Sequence, residues 1–156
     1  MMTQSGVIAP DLYRVIYRVK VGDVSHYLDP SERREMALWC FPIITDLVRE
    51  RYAAAVGSSG VSVFNLAFSH SNLWRARILD DAAALRKARD EVGGNIRQVG
   101  LPPHLAVDID EEILDELMEV VTQRHHRSPQ KASICGQILL HVAKNLAFTP
   151  QPLAVA

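Results

Sequence analysis

Six histidines carry most of the chemistry this sequence offers: His26, His70, His104, His125, His126 and His141. An imidazole ligates a metal, moves a proton or senses pH, and each use needs a second group held beside the ring. Spacing argues against a zinc site. No pair follows HExxH, and the neighbours His125 and His126 point about 100° apart on a helix, too far to face one ion. They belong to a basic run, Arg124-His125-His126-Arg127, expected to complement the negative pole of the helix that ends there. His70 lies near Phe68 and Trp74 on an amphipathic segment, where a hydrogen-bonded core histidine is expected and a ligand or gate in a pocket is the alternative.

Other candidate groups give less. Seven carboxylates lie between Asp108 and Glu119, and paired carboxylates do acid–base work or bind cations. Here their spacing turns them largely away from Ile109, Ile113, Leu117 and Val120, so a solvated face is expected. Ser69, Ser71 and Ser133 lack a G-x-S-x-G elbow, and Gly57-Ser58-Ser59-Gly60 lacks the lysine of a phosphate loop. Cys40 and Cys135 form no CxxC pair, which suits two buried thiols in a reduced cytoplasm rather than a zinc cluster. No catalytic constellation emerges, and a non-catalytic role is expected.

The elements that must position these groups read as helical throughout, with no alternating strand run of convincing length. A short helix is expected over Leu12 to Val19, with Leu12, Val15, Ile16 and Val19 on one face. Asp29-Pro30-Ser31-Glu32 is a helix start, with an Asp cap, Pro at the first helical position and Glu at the third. Pro42 is expected to kink or restart that helix. Further helices are expected over Val61 to Ile78, Ala82 to Val99 and His104 to about Arg127, with a last one after Ser128-Pro129. Gly93-Gly94 sits inside the second of these, costing about 1 kcal/mol per Gly against Ala, and suggests a close approach or a bend. The class is all-α, with six to eight helices in a globin-like or orthogonal arrangement.

The 156 residues, 48% hydrophobic and 22% charged, suit one domain over 1–156, with 1–10 and 149–156 flexible. A net charge of −1 argues against nucleic-acid or anionic-membrane binding, which needs concentrated positive charge. No apolar stretch approaches the roughly 18 to 20 residues of a membrane span, and no secretory signal is legible, so a cytoplasmic location is expected. The last two helices carry an apolar surplus. A homodimer through them, with Ile113, Leu117, Val121, Ile134 and Ile138 at the interface, is the expectation.

Three stretches resemble the sensor globins, the haem domains at the front of globin-coupled sensor proteins. Leu28-Asp29-Pro30-Ser31-Glu32, then Phe41-Pro42-Ile43-Ile44 and Val48-Arg49-Glu50-Arg51-Tyr52, are similar to that family's early helices, with Tyr52 on its distal-pocket tyrosine. His70 with Leu79-Asp80-Asp81 resembles its next helix. Val92 to Pro103 resembles its "I-x-x-x-H-x-x-I-G-L-x-P" signature, except that Ile96 stands in place of the haem-ligating histidine, and Leu105-Ala106 replace a Trp-Tyr pair. Isoleucine offers iron no lone pair. The resemblance therefore implies a signal-input or regulatory domain without the usual haem attachment, with an apolar pocket at Tyr52, His70, Trp74, Ile96 and Leu105. The alternative it implies is a haem-binding gas sensor whose iron takes a displaced ligand, His70 or His104. It also implies a signalling output protein or domain as partner, with the chain either a single-domain regulator or the input piece of something longer.

Overall fold

Capping chemistry sets where each helix begins and ends. The computed structural model describes residues 29–57 and 60–146; the expected helix over Leu12 to Val19, His26 and the tails 1–10 and 149–156 lie outside the described residues. Helix α1 spans Pro30–Val56. The Asp29 carboxylate accepts from the Ser31 amide at 3.1 Å and from the Ser31 hydroxyl at 3.0 Å, and Pro30 occupies the first turn, where its missing N–H is no loss. Gly57 ends it in the left-handed region, at φ 84°.

α1 runs unbroken through Pro42 instead of restarting there. Pro42 lies on the exposed side, and Leu38, whose carbonyl it cannot serve, is exposed as well. Water can take the place of the missing bond.

Helix α2 spans Val61–Leu79 and α3 spans Ala82–Val99. The tight junction between them divides its work between two aspartates. Asp80 closes α2 at φ 58°, a left-handed conformation that Asp tolerates better than most residues, while the Asp81 carboxylate accepts from the Ala84 amide at 3.1 Å to open α3. α3 is continuous across Gly93-Gly94, and a Cβ added at Gly94 would meet nothing within 4 Å, so no close approach requires that glycine. Gly100, at φ 84°, ends α3. Helix α4 spans His104–Arg124 and α5 spans Pro129–Leu146. The described residues thus form five α-helices and no strand.

α2 is the central element. It packs along α1 on one side and α3 on the other, while α4 and α5 pair with each other and cover the inner side. Arg33, buried on α1, donates to the Ile78 carbonyl at 2.9 Å and so sets a positive charge at the negative pole of α2. No helix among the described residues is long and apolar enough to cross a membrane.

The core corrects the dimer expectation. Ile113, Leu117, Val121 and Ile138 are fully buried inside this chain, and Ile134 is half-buried on the wall of a small pocket. The apolar surplus of α4 and α5 is used up by neighbours within the chain, because α4 has α1, α2 and α5 around it. These residues present no face to a partner.

Candidate functional site

On α2, residues Val63, Leu66, His70, Trp74 and Arg77 recur every three or four positions and share one inward face. On α4, Ala106, Ile109, Asp110, Ile113 and Leu117 do the same. Two of the α2 residues and one from α4 are polar, and all three are buried. Burial of such groups is tolerable only if they satisfy one another.

They do so around one carboxylate. Asp110 Oδ1 lies 2.7 Å from His70 Nε2, accepts from Trp74 Nε1 at 2.8 Å and from Arg77 Nη1 at 3.0 Å; Asp110 Oδ2 accepts from Arg77 Nη2 at 3.2 Å. The Arg77 guanidinium also lies 5.3 Å from the centre of the Trp74 ring. On the far side of the imidazole, His70 Nδ1 is 2.7 Å from the Tyr52 hydroxyl, brought in by α1. An ionised carboxylate only accepts, so His70 Nε2 carries the hydrogen, and Nδ1 accepts from the Tyr52 O–H. Both imidazole nitrogens are then satisfied, and Arg77 balances the charge of Asp110.

Electrostatics follow from this geometry. Burial alone would raise the Asp110 carboxyl, but the charge of Arg77 and the hydrogen bonds from His70 and Arg77 outweigh it and hold Asp110 well below the usual carboxylate range. Tyr52 moves the other way, pushed above the usual phenol value by burial and then by the negative charge of Asp110. The result is a chain of Tyr52, His70 and Asp110 with both ends closed. It joins α1, α2 and α4 in one hydrogen-bonded tie.

The expected site residues fall into two groups. Tyr52, His70 and Trp74 come together, and Ile96 of α3 is buried in the same continuous core. Leu105 is half-buried at the start of α4, and His104 beside it is exposed. The expected pocket residues Tyr52, His70, Trp74 and Ile96 are fully buried, and the grooves of about 480, 480 and 240 Å³ described in this fold are lined by other residues.

The residues present do not fit haem. Both ring nitrogens of His70 are engaged within the protein, so it has no lone pair for iron. α2 and α3 are tied together beside His70: Asn95 Nδ2 donates to Ser69 Oγ at 3.0 Å and to the Asn65 carbonyl at 3.3 Å. His104 is exposed at the start of α4, away from the buried Tyr52–His70–Asp110 chain. Among the described residues, no cluster of three His, Cys, Asp or Glu side chains is placed to hold a metal ion.

His125 ends α4, but burial, then Arg124 and Lys131, push its imidazole below the usual value, which disfavours the expected cation at the helix pole. Its ring meets Trp39 edge-on at 5.8 Å, and Arg124 covers the same indole at 4.7 Å. Cys40 and Cys135 are both buried, and burial pushes their thiols up to about 12 and about 11, which keeps them protonated and unreactive.

Asp110 and Arg77 are the residues that sequence reasoning missed. The signal was present in the helical register. Asp110 lies four residues after Ala106 and three before Ile113, inside the apolar stripe rather than opposite it, and Arg77 continues the stripe through His70 and Trp74. Opposite charges placed in two buried stripes must meet. Comparison with protein-family models, with curated proteins and with solved structures gave no match.

Proposed function

We propose that this chain is a haem-free, non-catalytic regulatory domain that works by contact between its helices and a protein partner, a divergent counterpart of the sensor-globin input domains it resembles. A globin-like arrangement, a cytoplasmic location and a signalling protein as output partner belong to the same reading. The observation that carries it is the closed Tyr52–His70–Asp110 chain. The two pocket residues that the resemblance makes available to a gas or an iron instead satisfy each other and a buried ion pair. What is left for recognition is the exterior, where large apolar side chains stand uncovered.

Haem titration tests this directly. Purified protein, expressed with ample haem precursor and then titrated with hemin, is expected to show no Soret band beyond that of free hemin. A Soret band abolished by His70→Ala or His104→Ala would replace the proposal with the haem-sensor reading and name the ligand.

A further inference from the structure

We propose that the outer face of α2 is the interface of a twofold homodimer, in which the Phe64–Phe68 ridge of each copy seats in the groove beside Arg75 and Leu79 of the other. The inference deepens the regulatory reading and rests on it, by naming the partner as a second copy of this chain.

The face is apolar where it should not be. Leu38 and Val61 are 77% exposed, Phe64 65% and Phe68 57%. Single exposed apolar side chains are ordinary, but three of these four lie on one line of one helix, spaced three and four residues apart. Phe64 and Phe68 stack, with centroids 5.9 Å apart and planes 11° from parallel, so they form a single ridge. Toward the other end of α2, the outer line meets a groove of about 480 Å³ whose walls include Leu38, Phe41 and Pro42 of α1 with Arg75 and Leu79 of α2. Ridge and groove are therefore on the same face, about 16 Å apart along the helix at 1.5 Å per residue.

That arrangement is self-complementary under a twofold axis. Two α2 helices crossed antiparallel place each ridge over the other copy's groove, so that Phe64 meets Leu79 and Phe68 meets Arg75, whose guanidinium can lie on the ring. The axis then passes close to Asn72, a half-buried residue midway along the line. An amide both donates and accepts, so Asn72 can pair with its own copy, whereas a charged residue there would repel itself. The area is also sufficient. At the accessible areas usual for such side chains the four exposed residues, Leu38 of the groove wall among them, present about 500 Å² per copy, which reaches the roughly 1,000 Å² total of a specific interface. An isologous contact of this kind closes on itself and leaves no ridge free to recruit further copies.

Sedimentation equilibrium of the full chain, from about 1 to 200 µM, tests the proposal alongside Phe64→Glu, Phe68→Glu and Asn72→Cys. The wild type is expected to dimerise, each Glu variant to raise the dimer dissociation constant by at least about 30-fold with unchanged circular dichroism, and Asn72→Cys to cross-link to itself under mild oxidation. A wild-type monomer across that range overturns the proposal. So does a dimer that both Glu variants leave intact. A monomer in which Phe68→Cys reacts with maleimide only after residues 1–28 are cleaved also overturns it, and gives the face to the N-terminal segment. None of these outcomes bears on the Soret titration, so the dimer and the haem-free reading fail separately.

Discussion

The two faces of α2 invert the usual rule. The inner face buries His70, Ser69, Ser71 and Arg77, while the outer face exposes Val61, Phe64 and Phe68. The charged and aromatic-nitrogen groups are tolerated because they are paired: Asp110 supplies the countercharge for Arg77 and the acceptor for His70 and Trp74, while Ser69 bonds back to its own helix. The outer side chains have no such cover among the described residues. Polarity alone therefore does not say which side of a helix faces inward; the availability of a partner for each group does.

The largest expected effect breaks the inner face. Asp110→Ala removes the carboxylate that balances the buried Arg77 charge and accepts from His70 and Trp74, and should cost about 3–5 kcal/mol in urea denaturation. Replacing the pair together, Asp110→Leu with Arg77→Met, should cost much less. Equal losses from the single and double variants would mean that charge pairing is not what holds this face.

Next comes Tyr52→Phe, which removes the donor to His70 Nδ1 and leaves a buried acceptor unsatisfied. A loss of about 1–3 kcal/mol is expected by the same measurement. A change near zero would show that the tyrosine contributes only its ring.

Acid sharpens the comparison further. Asp110 is held below its ordinary 3.8 in the folded chain, so as pH falls the unfolded chain takes up this proton first. The stabilisation is fully present above about pH 5 and is lost progressively as pH drops toward the folded value. Thermal melts between pH 6 and 2 should show that decline, and Asp110→Asn should flatten it.

The smallest effect belongs to the outer face. Below the concentration at which copies associate, Phe64→Ser should change stability by no more than about 0.5 kcal/mol. Two residues further on, the inward Leu66→Ala should cost about 2–5 kcal/mol. If Phe64→Ser is as damaging as Leu66→Ala in dilute protein, the outer face is part of the fold rather than a contact surface.

Much of the fold was legible because its signals are local. Asp29 before Pro30, Asp81 before Ala82 and Gly100 after Val99 act within a single turn, and each marks the boundary it was expected to mark. Pro42 was read as a kink or a restart because the rule for proline assumes a carbonyl that must be satisfied within the helix; on an exposed face water can satisfy it, and the helix does not restart. His70 was read as a hydrogen-bonded core residue and is one. Asp110 was counted with its six acidic neighbours on the solvated face, because a run of carboxylates suggests a surface until each is placed on the helical wheel separately.

By itself the sequence determined the helices, their caps and the identity of the side chains on each stripe, since these depend on neighbours within about four residues. Tertiary structure alone decided which stripe was covered. Whether Ile113 and Leu117 served a partner or the chain's own core, whether His70 kept a free lone pair, and whether Phe64 found a neighbour all depend on residues far away in sequence, such as Asp110 forty positions beyond His70. Hydrophobic and electrostatic free energies arise from what surrounds a group in space, so spacing along one chain can nominate the partners of a buried charge while only packing can bring them together.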